Sequence, residues 1–410
     1  MIKTYEIFDS YEKRFAAARL IKPFSLPTED EARQEIVRKT KKMLGYDEAL
    51  LPRIGKLEEM ASEEFGTYCV TQLRYETWKN TYGCASLYLP KAEGKLPLAF
   101  LVCGHGAQGR LSAGYRLMAH RLAGMGIAVI VPDNIGQGDR EHMGHWHSVG
   151  PFYAGLTLQG LIVMETIALI RYLSLDERFD AKRLAALGNS GGGTLTLMLA
   201  ALCPELSVLS GSGYPSEFHY ILSKERHHCS CNLLRGCAVA PEMWEIYSLF
   251  APKPMLLAQG VNDGLIPVEY FLRNERKLRG IYSLMGAEDK LETAVTPTTH
   301  PWDKEDREVI CDFIARHLGV GTENNIDPKP AFSELTESWR VELPENAITT
   351  DLLSEQLSGA KMPEGTALKD IFVPVVNGIA VDESEIIRDL GRGDVMQVFA
   401  QMECALTVVE

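Results

Sequence analysis

Between residues 96 and 318 the chain alternates short, almost wholly apolar runs with longer helical patterns, and this alternation restricts its fold more than any other feature. LPLAFLVCG (96–104), GIAVIVPD (126–133), RLAALG (183–188), LSVLSG (206–211) and KPMLLAQG (253–260) read as strands. Runs this apolar suit strands buried on both faces. Between and after them, residues 113–125, 156–175, 192–202, 269–277 and 303–318 read as helices. Such alternation predicts an α/β domain, with a mostly parallel central sheet and helices on both faces. Sites in sheets of this kind lie beyond the carboxyl ends of the strands.

The flanks are less regular. YCVTQLRYET and CASLYLP, separated by residues 80–83, read as paired strands that open the main domain at residue 67. Residues 1–66 read as a helical segment packed on that domain. Its clearest helix has Thr28 as N-cap, Glu31 completing a capping box and Gly45 at the end. After residue 318, GVGTENNIDPKP is a polar Gly/Pro/Asn linker. Residues 319–410 are then a small appendage, for which a lid, an arm or a separate unit all fit; the expectation is an arm that supports a homo-oligomer.

The net charge of −13 leaves no basic footprint for nucleic acid. The most apolar long stretch, 156–175, carries Gln159, Glu165 and Arg171, so it reads as a buried amphipathic helix and not a membrane span. The first twenty residues lack a signal-peptide pattern. Nine cysteines at irregular spacing suit a reducing compartment better than a disulfide framework, so a cytoplasmic location is expected.

AALGNSGGGT (185–194) sets one serine among four glycines, between a predicted strand and a predicted helix. Gly188-Asn189-Ser190-Gly191-Gly192 fits G-x-S-x-G, the nucleophile elbow, in which a sharp turn lifts the serine hydroxyl above the sheet. Glycines two before and two after supply clearance where strand and helix close on the turn. A glycine-rich helix cap would look similar, but the strand before and the helix after favour the elbow. An elbow calls for an acid and then a histidine further along the chain. Asp263, in VNDGLIPVEY beyond the last strand, suits the acid better than Glu269 or Asp289, although Asp-Gly is also a common turn. His300, in PTTHPWD before the closing helix, suits the base. The amide of Gly191 would form one half of an oxyanion hole. The loop CGHGAQGR would supply the other half through Ala107, with His105 as a structural hydrogen-bonding residue.

These motifs resemble the α/β-hydrolase superfamily, and within it the dienelactone hydrolase, acetyl xylan esterase and prolyl-oligopeptidase-like branch. The resemblance runs over residues 67–318 and rests on GNSGGGT, CGHG, PDNIGQGDR, HHCSCN and APKPMLLAQGVND. It implies a cofactor-independent serine esterase with a Ser190–His300–Asp263 triad, acting on a small ester such as an acylated sugar. It also implies that the glycine-rich loop after Asp133 and the CSCN segment lie near the pocket. In two respects the chain departs from that pattern: Thr298 and Thr299 precede His300 where glycines are usual, and the resemblance does not extend to the C-terminal segment. A prolyl-oligopeptidase-like peptidase and a non-catalytic binding protein are the rival functions. The short N-terminal segment counts against the first, and the intact Ser/Asp/His order against the second.

Further histidines and cysteines invite a metal reading. His227, His228, Cys229 and Cys231 are suitable ligand types, but adjacent histidines and C-x-C lack the paired spacing of a zinc site, so no metal is expected there. Cys231 is expected to line the pocket. His142, His145 and His147 follow the Asp133 loop near the mouth, where His145 and His147 could meet substrate. Trp302, next but one to His300, could form an apolar wall, as His105 could a polar one.

Overall fold

In the computed structural model of the chain, residues 26–145, 148, 150–223, 230–232, 234–237, 240–325 and 337–359 are described. Nine strands form a single sheet: β1 (Glu58–Phe65), β2 (Tyr68–Glu76), β3 (Tyr82–Pro90), β4 (Leu96–Val102), β5 (Ala128–Pro132), β6 (Phe179–Asn189), β7 (Val208–Ser212), β8 (Met255–Gly260) and β9 (Leu291–Thr296). Their spatial order is 1-2-3-5-4-6-7-8-9. The first three strands and the β3–β5 pair are antiparallel, and the remaining pairs are parallel.

The principal helices are α1 (Asp30–Leu44), α2 (Ala113–Gly124), α3 (Leu158–Ser174), α4 (Gly191–Leu202), α5 (Val268–Leu284), α6 (Lys304–His317) and α7 (Thr350–Ser358). Helices α1, α3, α4 and α5 contribute to the core on one sheet face, and α2 and α6 to the core on the other. This is the predicted two-sided α/β arrangement. The chain runs from β4 outward to β5, then returns across β4 to β6. The strand order therefore reverses at β4, and the carboxyl ends of β4 and β6 flank a natural crevice.

Several expectations are corrected at the edges. Residues 58–65 are a strand and not helix: EEMASEEF is an edge strand, almost entirely solvent-exposed, whose glutamates hide the period-2 pattern. Strand β9, at the other edge, was not anticipated either; its ends Leu291 and Thr296 are buried, while between them Thr293 and Val295 are exposed and Glu292 and Ala294 partly buried. Helix α1 begins one residue later than the capping box implies. Glu29 is its N-cap, with no side-chain cap, while Gly45 closes the helix in the left-handed conformation as expected.

Helix α3 is buried nearly all round, not amphipathic. Its two charges inside the apolar run are paired: Glu165 forms a bidentate bridge to buried Arg140 at 2.7 and 2.8 Å, and Arg171 reaches Glu205 at 2.7 Å. Among the described residues, no helix is long and apolar enough to cross a membrane. Six described cysteines are free thiols, but Cys237 is disulfide-bonded, with its partner outside the described residues. The expectation of an all-thiol chain does not hold there.

On the α2 face, His120 is enclosed by Phe65, Tyr68, Tyr88 and Trp339, and its Nδ1 lies 2.8 Å from the Tyr68 hydroxyl. Burial, aided by the nearby Arg116 charge, pushes its pKa down to about 4. An unfolded histidine titrates near 6.5. Above that value neither state is protonated and the fold keeps its full stability. Between about 6.5 and 4 only the unfolded chain takes the proton, so stability falls as pH falls, by roughly 3 kcal/mol in all. Urea unfolding at pH 7.5 and pH 5 should therefore show a smaller acid loss for His120→Leu than for the unaltered chain. Equal losses in both would refute the assignment to His120.

Candidate functional site

Ser190 joins β6 to α4 with φ 59° and ψ −120°, a conformation a serine adopts only under constraint. The constraint is visible in its surroundings. Its amide donates to the Ser212 carbonyl (3.0 Å) and its carbonyl accepts the Thr194 amide (2.9 Å), fastening the turn to β7 and to the first turn of α4. A methyl on Gly188 would stand 2.5 Å from the Gly192 carbonyl oxygen, and one on Gly192 would overlap the Val102 carbonyl. The glycines of the motif are thus steric necessities, as the sequence implied.

Asp263 and His300 meet. His300 Nδ1 lies 2.8 Å from Asp263 Oδ2, and neither Glu269 nor Asp289 supplies this contact. Asp263 also accepts Gln259 Nε2 (2.9 Å) on Oδ2, and the amides of Leu265 (2.7 Å) and Ile266 (3.0 Å) on Oδ1. Burial opposes charge on this carboxyl, but the hydrogen bond and charge of His300 and the two amides outweigh it and hold its pKa below the ordinary value. A carboxylate can only accept, so Nδ1 carries the proton and Nε2 of the neutral ring is the basic nitrogen. That Nε2 is buried and has no hydrogen-bond partner among the described residues.

The histidine loop is tied to the elbow itself. Asn189 Nδ2 donates to the His300 carbonyl (2.9 Å), and Ser212 Oγ bridges Asn189 Oδ1 (3.0 Å) to Trp302 Nε1 (2.7 Å). A methyl on Gly213 would lie 3.2 Å from His300 Cε1. Asn189, the residue before the serine, therefore holds the backbone of His300. Trp302 is buried and braces this network; it is not among the residues lining the neighbouring cavity. Thr298 and Thr299 are accommodated because their carbonyls pass over Gly260, where a methyl would stand 2.6 Å from each.

The loop expected to supply the second oxyanion donor approaches the serine through Gly104 and His105. Gly104 is the residue in contact with the serine: a methyl there would sit 3.0 Å from Ser190 Cβ. The His105 ring lies against Gly191, where an added methyl would be 2.9 Å from Cε1. Ala107 is two residues further on, exposed in the following turn. The amides of Gly104 and Gly106 are engaged, by Tyr115 Oη (2.6 Å) and Gln137 Oε1 (2.9 Å). His105 is the residue between Gly104 and Gly106. The apolar strand ends at Val102.

A cavity of about 790 Å³ opens beside the elbow, with His105 as the shared wall. Gly136, Gln137, Glu141 and His145 from the Asp133 loop line it, together with Thr349 and Asp351 from the C-terminal segment. His147 lies outside the described residues, as do His227, His228 and Cys229. His142 is exposed.

The role of Thr349 and Asp351 was missed. Asp351 Oδ1 accepts the Ser148 hydroxyl (3.1 Å) and the Gly150 amide (3.0 Å), and α7 packs on the short helix Gly150–Tyr153. Residues 337–359 of the appendage thus pack on their own chain and complete a pocket wall. Its sequence signal was only an apolar period in TTDLLSEQL, with nothing to say which surface it covers.

The acetyl xylan esterase (AXE1) family profile matches residues 55–227. A Bacillus subtilis (strain 168) protein, YtaP, described as a candidate hydrolase, is 24% identical over 212 residues, covering 48% of this chain and 71% of that protein. Among solved structures, methylesterase BT1017 superposes with a TM-score of 0.61 at 22% identity, over 85% of this chain and 78% of its own. A glucuronoyl esterase from Solibacter usitatus superposes with a TM-score of 0.56 at 13% identity, over 70% of this chain and 91% of its own.

Proposed function

We propose that this α/β-hydrolase is a serine carboxylic-ester hydrolase whose nucleophile is Ser190, whose base is His300 and whose orienting acid is Asp263. The observation that carries the reading is the strained serine at the end of β6, tied through Asn189 to the backbone carbonyl of His300, whose imidazole Asp263 holds by Nδ1. His300 Nε2 takes the serine proton as Oγ attacks the ester carbonyl, then returns it to the departing alcohol. The amides of Gly191 and His105 receive the oxyanion. A water deprotonated by the same nitrogen cleaves the acyl-enzyme and releases the acid.

The cavity beside the elbow, whose lining does not include Ser190 or His300 themselves, supports a reading of the substrate class. Its described lining holds the carboxylates Glu141 and Asp351, polar Gln137, Ser148 and Thr349, and no lysine or arginine. Carboxylates accept hydrogen bonds from sugar hydroxyls and repel an anionic ligand. Such a lining suits a neutral acylated sugar, such as an acetylated oligosaccharide, and the acetyl xylan esterase match points the same way.

A fluorophosphonate probe should label Ser190, and a parallel panel should rank acetylated sugars above methyl uronates and peptide amides. Preferential cleavage of amides would replace the reading with a peptidase. Absence of labelling in folded protein would replace it with a binding role.

A further inference from the structure

His105, His145 and Cys231 come from three separate segments, 40 and 126 residues apart from His105, and converge on one point of the cavity wall. Their ligand atoms all lie within 4.8 Å of one another. His105 Nε2 is 3.0 Å from His145 Nε2 and 3.4 Å from Cys231 Sγ. Two nitrogens on a tetrahedral zinc ion are roughly 3.3 Å apart, and a nitrogen and a thiolate sulfur about 3.6 Å apart, as its bond lengths require. Both contacts to His105 match that pattern within a few tenths of an ångström.

The orientation of His145 matches too. Its Nδ1 is 2.8 Å from the Ile135 carbonyl, which can only accept, so the proton sits on Nδ1 and the lone pair of Nε2 faces the cluster. Metal-binding histidines are commonly held this way, by a carbonyl on the far nitrogen. Both remaining ligands are buried or partly buried, and His105 and His145 line the cavity.

We propose that His105, His145 and Cys231 bind one zinc ion in the wall of the cavity beside the elbow. Two imidazoles and a thiolate are a borderline-soft set that suits zinc and disfavours magnesium or calcium. Binding releases the Cys231 thiol proton to solvent, so uptake strengthens as pH rises. The ion would lock the loop that carries the His105 amide to the Asp133 loop and to residues 230–232. It would also present a Lewis acid where a substrate hydroxyl or carbonyl enters. The inference rests on the three side chains and not on the serine chemistry. The competing arrangement is a histidine–histidine hydrogen bond with a thiol beside it, which takes up no metal.

The full chain, stripped with chelator, is titrated with cobalt(II) alone and then with zinc(II). One equivalent of cobalt should give a thiolate-to-cobalt charge-transfer band and the intense visible bands of a tetrahedral site, both bleached by one equivalent of zinc. Cys231→Ser should remove the charge-transfer band, and His145→Ala should weaken zinc binding at least tenfold. Ser190→Ala should bind as the unaltered chain does, which separates this claim from the proposed reaction. No tetrahedral cobalt spectrum, or unchanged affinity in folded Cys231→Ser/His145→Ala, overturns the proposal. Should those variants fail to fold, X-ray absorption on the zinc-loaded unaltered chain decides: one sulfur among the nearest ligands supports the site, and none refutes it.

Discussion

Ser190→Ala should lower turnover of an aryl acetate by about 10⁴-fold or more, with the secondary structure unchanged. The size of the effect follows from how the site is built. His300 is oriented through Nδ1 and its Nε2 has no described partner, so removing the hydroxyl leaves the base with nothing to activate for acyl transfer. What remains is the oxyanion hole and whatever water can reach the carbonyl. Ser190→Gly should be equally inactive but no less stable. At φ 59° and ψ −120° a serine carries roughly 1–3 kcal/mol of backbone strain, which glycine relieves and alanine does not. Glycine returns about 0.5–1 kcal/mol of that to unfolded-chain entropy. The Gly variant should therefore unfold at the same or higher urea concentration than the Ala variant. Substantial ester turnover by folded Ser190→Ala would end the serine mechanism.

How much of this was legible beforehand depends on the range of the interaction. The parallel strands were readable because burial on both faces makes each of them uniformly apolar, and no distant partner is needed to see that. The elbow was readable because close packing at Gly188 and Gly192 leaves a local signature. The contact of Asp263 with His300 followed from their order after the elbow, since each sits just beyond or before an element whose position the sheet sets. Edge strand β1 was hidden because its exposed faces place no demand on side-chain polarity, and four of its eight residues are glutamate. The packing of Gly104 on Ser190 had no signature that set it apart from the later glycine of the loop, Gly106. The cluster of His105, His145 and Cys231 has no spacing to read, because three separate loops assemble it. The docking of Thr349 and Asp351 is likewise a property of the folded surface and not of any local pattern.

Breaking the buried charge cluster under the Asp133 loop should have the largest effect on stability, with Asp133→Ala costing about 3–5 kcal/mol. Arg110 is fully buried and paired with Asp133, with Asp139 at 2.7 Å, and it donates to the Trp339 carbonyl at 2.9 Å. Burial alone would lower the Arg110 pKa, but the two carboxylates more than offset this and hold it well above its ordinary value, so the guanidinium stays charged. Asp139 in turn accepts Arg340 (3.0 Å) and the Val341 amide (2.9 Å). The cluster thus joins the loop after β4, the loop after β5 and the C-terminal segment that walls the cavity. Removing Asp133 strands a buried cation beside a single carboxylate, whereas Arg110→Met with Asp133→Asn removes both charges of the central pair. The double substitution should therefore be less destabilising than the sum of the single ones, by at least 1 kcal/mol in urea unfolding. Because the loops on either side carry His105 and His145, Asp133→Ala should also raise KM for the ester before it unfolds the chain. Additive losses in the double substitution, or a single loss below about 1 kcal/mol, would mean that these charges do not act as one unit.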